Sequence, residues 1–177
     1  YNWFVDKELA TKDPIKDRKT EVLGKISFLV GNTNFTLTAV ADRIDIMKNG
    51  NLLIIDYKTG TIPSSKEVEA GFSPQLPLEA AIASNGGFSN IPQSKAIQLE
   101  YWRVRGGNNP GEVVRPSENI GKLQEDALKG VKRLVEVYQN KETPYPSRPN
   151  PGYAPQYSDY EHLARVREWS TFTKRSR

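Results

Sequence analysis

Asp42, Asp56, Lys58 and Gln75 are the residues whose types and spacing could do chemistry. Asp56 and Lys58 end the most apolar run of the chain, Leu52-Leu53-Ile54-Ile55-Asp56-Tyr57-Lys58-Thr59-Gly60. Charges at the end of a buried strand need a partner or a ligand arriving from solvent. Residues two apart on a strand share a face, so Asp56 and Lys58 lie together, about 6–7 Å apart along the chain. Tyr57 points the other way, with its carbonyl free to lie near the acid. Asn49-Gly50 is a hairpin signal that folds residues 42–46 back on this strand and brings Asp42 or Asp45 towards Asp56. Two carboxylates and a carbonyl form a partial shell for Mg²⁺, which takes oxygen ligands and keeps several waters. Such an ion activates water and neutralises charge building on a phosphate, and Lys58 adds a fixed positive charge. Every part then has a role in phosphodiester hydrolysis. The same residues also read as ion pairs, Asp56 with Lys58, and Asp42 and Asp45 with Arg43. Gln75 falls in the first turn of a predicted helix, where a phosphate is favoured, yet it also suits that turn as an ordinary polar residue. His162 reads as a packing or surface residue.

The chain has 177 residues, enough for one domain with a real core (1–177, core 21–140). Apolar residues are 37% and charged residues 26%, and no apolar run is long enough to span a membrane. The N-terminus lacks the pattern of a signal peptide, and with no initiating Met the chain is expected to be a C-terminal piece of a longer protein. Cysteine is absent, which excludes disulfides, thiolate zinc and iron–sulfur ligation, and a single histidine argues against a histidine-based metal site. A metal here must be a hard cation held by oxygens. The net charge of +4 permits a polyanionic partner without requiring one.

Elements that could position these residues are legible. Residues 6–20 are dense in charge and read as loop or frayed helix. Residues 22–30 and 35–47 are rich in β-branched and aromatic side chains, with Gly31-Asn32 between them, and a third strand ends at Lys58. Ser64 and Glu67 form a capping box for a short helix, and Ser73-Pro74 fits N-cap and N1 of a second, QLPLEAAIAS, closed by Gly86-Gly87. Residues 96–104 alternate as a fourth strand. Ile120, Leu123, Ala127, Val131, Leu134 and Tyr138 recur at helical spacing within 117–140. Five prolines between Thr143 and Pro155 predict an extended surface wrap, and 159–177 a short helix with a basic tail. The order β-β-β-α-β-α is that of an α/β domain with a mixed sheet.

The stretches TAVADRIDIMKNGNLLIIDYKTG, FSPQLPLEAAIASNGGF, LEYWRV and YEHLARVREWS together resemble the PD-(D/E)XK nuclease superfamily, in its RecB/AddB branch and closest to the AddB-type C-terminal nuclease domain. The likeness spans most of 21–170 and rests on the joint order of DRID, DYKTG and PQL. It implies a restriction-endonuclease-like core, a central mixed sheet flanked by helices. It implies Asp42 and Asp56 as metal ligands, the Tyr57 carbonyl completing the shell, Lys58 as the catalytic lysine and Asp45 as a fallback ligand. Gln75 matches the glutamine of the branch's Gln-x-x-x-Tyr element, which holds the DNA backbone, but position 79 is Glu where that element has Tyr. The branch also carries a His or Glu ligand on a helix before the sheet. Only Glu8 precedes Glu21 as a candidate, so that helix is expected upstream. Many relatives bind a four-cysteine iron–sulfur cluster. None is expected here, and the proline-rich wrap and 160–170 would hold the C-terminus instead. The implied activity is a Mg²⁺-dependent DNA exonuclease, with Mn²⁺ as a substitute, acting on DNA ends and unwound single strands. The implied setting is double-strand break resection beside an AddA-type helicase–nuclease subunit in the bacterial cytoplasm, away from membranes. Alternatives are a catalytically silent DNA-binding scaffold of the same fold, or another exonuclease of the superfamily.

Overall fold

A computed structural model of the chain describes residues 2–10, 15–105, 111–146 and 150. The chain divides into two compact units, Tyr1–Gln139 and Asn140–Arg177. In the second, the described residues begin with a turn closed by Thr143 N–H on the Asn140 carbonyl (3.0 Å). His162, the segment 159–177 and most of the proline-rich stretch lie outside the described residues.

The first unit contains a five-stranded sheet in the order β1 (Ile15–Val30), β2 (Thr33–Met47), β3 (Leu52–Lys58), β4 (Ala96–Val104), β5 (Gly111–Val114). Neighbouring strands are antiparallel except β3 and β4. That parallel step needs a crossover, supplied by α2 (Ser65–Glu69) and α3 (Gln75–Ser84). Helices α1 (Asn2–Leu9) and α4 (Ile120–Gln139) complete the unit. The sheet is therefore mixed and flanked by helices, as the sequence implies.

Two apolar clusters fix what lies on each face. The larger joins Ile44, Leu52 and Ile54 of the sheet to Leu76, Ala80 and Ile82 of α3 and to Ile120 and Leu123 of α4. The smaller joins Met47, Leu53, Ile55 and Trp102 to Trp3 of α1. The first four residues of the third strand, 52–55, are buried between the two clusters and are all apolar for that reason.

Strands β1 and β2 change the face they present at one rung. Leu37, Ala39 and Ala41 pack on the larger cluster, and so do Ile44 and Ile46, so the inward parity shifts from odd to even. The shift occurs where Glu21 and Asp42 drop out of the ladder, which is irregular also between Ile15 and Asp17, and Glu21 has φ +50°. Irregular rungs of this kind re-aim a side chain.

Several expectations need correction. Within 6–20, residues 6–9 are helical, as the helix alternative has it, whereas 15–20 are strand and neither loop nor helix. α1 covers Asn2–Leu9 and β1 begins at Ile15. The charged opening of β1 is solvent-facing edge strand, with Asp17 paired to Lys19 at 2.8 Å, so its composition hid it. Pro74 is itself the N-cap, not N1, and gives α3 no side-chain cap. Strand β5 carries no sequence signal beyond four residues. Of the apolar stripe on α4, only the first turns are buried, and Leu134 is exposed. The capping box of α2 forms as expected.

The turn after α3 is tightly packed on β1. Lys25 N–H bonds the Gly87 carbonyl (2.9 Å), and a Cβ at Gly87 would strike the Lys25 backbone carbonyl. Gly87→Ala is expected to destabilise the protein by about 1–3 kcal/mol. Gly130→Ala, in open space on α4, should instead gain up to about 1 kcal/mol. Urea unfolding of the two variants checks both signs.

Candidate active site

The end of β3 places Asp56 and Lys58 on the face covered by α3. Asp56 is 1% exposed. Its Oδ1 accepts from Lys58 Nζ at 2.9 Å. Its Oδ2 lies 2.6 Å from the same ammonium, at an angle that makes an ion pair and no hydrogen bond. The ion-pair reading is thus present in the structure, but it leaves a buried carboxylate oxygen unsatisfied. Burial pushes the Asp56 carboxyl above its ordinary value, Lys58 pulls it back, and the charge of Asp42 raises it again.

Asp42 sits one residue beyond the last β2–β3 rung, Arg43 with Ile55. Its Oδ2 accepts the Tyr57 N–H at 2.8 Å, which seats the half-buried side chain at the end of β3. Gln75, first residue of α3, accepts from Lys58 Nζ through Oε1 (3.2 Å) and donates through Nε2 to Glu79 Oε1 (3.2 Å). The structure therefore gathers Asp42, Asp56, Lys58 and Gln75 at one place, with Glu79 beneath them.

Asp45 is elsewhere. It faces the opposite side of the sheet, where it takes Arg43 Nε (2.9 Å) and Nη2 (2.5 Å) and Arg18 Nε (2.8 Å). Arg43 also donates to Glu8 and to Tyr57 Oη (3.1 Å). Glu8 is therefore bound to arginines on the far face, and neither acid approaches Asp56. The fallback ligand is an ion-pair residue.

Two residues the sequence did not single out as chemistry belong here. Glu79 is 1% exposed with Oε2 unpartnered, and burial first, then Asp56 and Asp42, push its carboxyl up to about 8 against the pull of Gln75. Tyr101 stands beside Asp56 in the parallel β3–β4 register, with its hydroxyl buried and unpartnered and its ring 5.9 Å from Lys58 Nζ. Burial, then Asp56 and Glu79, raise its phenol. The register that aligns Tyr101 with Asp56 was the signal, but it depends on a parallel pairing that the sequence does not specify.

Among the described residues no group of three or more His, Cys, Asp or Glu is placed to hold a metal unaided. The donor set still fits a hard cation that keeps most of its waters. Asp42, inside β2, and Asp56, near the end of the neighbouring β3, offer carboxylates, and Asp56 Oδ2 lacks a hydrogen-bond partner.

Sequence comparison matches residues 2–157 to the PD-(D/E)XK nuclease superfamily model. An uncharacterized protein of Rickettsia typhi is 32% identical over 64% of this chain and 14% of its own length. Another, from Rickettsia bellii, is 32% identical over 81% of this chain and 18% of its own length. The chain thus spans less than a fifth of these relatives. Among solved structures, the crystal structure of SSO0001 aligns with 72% of this chain and 56% of its own, at 18% identity and a TM-score of 0.42.

Proposed function

The chain belongs to the PD-(D/E)XK nuclease superfamily, and from that membership we infer that it hydrolyses DNA phosphodiester bonds with the help of a divalent cation. The observation that supports this reading is the gathering of Asp42, Asp56 and Lys58 at one strand end, under the first residue of α3. Asp42 and Asp56 would hold Mg²⁺, or Mn²⁺ in its place, with the Tyr57 carbonyl as a further ligand. The bound ion supplies an activated water and charge neutralisation at the phosphate.

The protein's own groups do the remainder. Lys58 brings a fixed ammonium to the phosphate oxygens as negative charge grows there. Gln75 stands at an exposed helix start, where backbone N–H groups face a phosphate. The apolar body of β3 keeps acid and lysine in fixed relation. The order DRID, DYKTG and PQL supports the AddB-type branch. On that reading the protein is an exonuclease in double-strand break resection, fed single strands by an AddA-type helicase–nuclease partner.

The test is metal-dependent degradation of end-labelled linear DNA, with titration calorimetry of Mn²⁺. Asp42→Asn is expected to lose both cleavage and Mn²⁺ binding, and Asp45→Asn to keep Mn²⁺ binding at whatever stability it retains. A wild-type protein that binds DNA and leaves it uncut with Mg²⁺ or Mn²⁺ would make the domain a silent scaffold.

A further inference from the structure

We propose that Glu79 is a positioning residue: it fixes the Gln75 amide, and through that amide the Lys58 ammonium. The role of Lys58 in this statement rests on the function proposed above.

The geometry is a single file of polar atoms. Positions 75 and 79 lie one helical turn apart on α3, so their side chains meet. Gln75 Nε2 donates to Glu79 Oε1 (3.2 Å), and Gln75 Oε1 accepts from Lys58 Nζ (3.2 Å). An amide has one donating and one accepting end. An acceptor at position 79 therefore turns the carbonyl end towards the lysine. The reversed amide would set an N–H against an ammonium, so the acceptor also decides which way round Gln75 sits.

Gln75 is exposed and cannot hold this orientation by packing. Ordering a free glutamine costs rotamer entropy. Glu79 removes much of that freedom because its own side chain is buried, 1% exposed. Burying a carboxyl costs stability that a leucine would not. Its Oε2 finds no partner there, so packing does not explain the residue. The bond to Gln75 does. Lys58 is then located from two sides, by Asp56 on its own strand and by Gln75 on the helix.

The experiment compares Glu79→Gln, which keeps a side-chain acceptor, with Glu79→Leu, which has none. Thermal unfolding first establishes that each variant is folded. Steady-state cleavage of linear DNA should then show kcat reduced about tenfold or more in the leucine variant, equivalent to about 1.4 kcal/mol. KM should stay within twofold of wild type, and the glutamine variant should recover most of the lost rate. In ¹⁵N NMR spectra, the Gln75 side-chain amide should give two resolved, slowly exchanging protons in the wild type and the glutamine variant. In the leucine variant they should merge with the free-glutamine envelope. A folded leucine variant with wild-type kcat overturns the proposal, as does a glutamine variant as slow as the leucine one. If the wild type does not cut DNA, the functional reading fails by itself. The Gln75 resonances then decide the tether: their loss in the leucine variant upholds it, and unchanged resonances refute it.

Discussion

Asp56→Ala protein, supplied with Mg²⁺ and linear DNA, is expected to leave that DNA intact while remaining folded. The loss should be on the order of a thousandfold, about 4 kcal/mol of transition-state stabilisation. The reason lies in how much passes through one carboxylate. It offers a carboxylate oxygen without a hydrogen bond, and it holds Lys58. Without it the ammonium keeps only Gln75 among its hydrogen-bond partners.

Stability should move the other way. The Asp56 carboxyl is raised in the fold, chiefly by burial. A raised carboxyl binds its proton more tightly folded than unfolded, so its ionised form at neutral pH counts against the fold. Removing it relieves that cost, and the unfolding midpoint of Asp56→Ala is expected at or above wild type. Lys58→Ala is expected to lose cleavage as well, but to lose stability with it, since Asp56 would stay buried without its cation. Equal cleavage by wild type and Asp56→Ala would sink the nuclease assignment.

Arg43→Ala should give the largest loss of stability, about 3–5 kcal/mol, the usual cost of removing one partner from a buried ion pair. Arg43 is 2% exposed and Asp45 fully buried. Burial works against the guanidinium charge, but Asp45, Glu8 and Tyr57 together more than offset it. Removal leaves Asp45 with Arg18 alone and releases Glu8 from one of its two arginines. Asp45→Ala by itself should also be costly. The double variant should cost less than the two singles summed, because neither charge is then stranded. Guanidinium unfolding of all three gives the coupling, and additive losses would mean the pair is not a unit.

The site was legible where strand periodicity determines it. Asp56 and Lys58 share a face because they are two apart, and Asn49-Gly50 brings Asp42 across. The choice between Asp42 and Asp45 was not legible by counting. Parity alone puts Asp42 with Ile44, yet Ala41 also faces the larger cluster, because the ladder skips a rung at Glu21 and Asp42. Helix α1 was hidden for another reason. Eight residues give little periodic signal. It docks instead through particular contacts, Trp3 and Phe4 on Trp102 and Glu8 on two arginines. The opening of β1 was hidden by charge, and β5 by length. Glu79 stood out in the sequence only as a departure from the Gln-x-x-x-Tyr pattern, and Tyr101 read as an ordinary strand aromatic. Their meaning comes from burial and from a parallel register, neither of which is local.

Tyr57 has one further consequence. Its main-chain N–H holds Asp42, its ring packs on Phe4 and Trp102, and its hydroxyl receives Arg43. One residue thus serves both sides of the sheet, and its two sides answer to different demands. Any selective pressure that keeps Asp42 in place therefore extends to Phe4, Glu8 and Arg43, none of which approaches the acids. For a genetic screen, alleles that impair the reaction should map to the N-terminal helix as well as to the reacting groups.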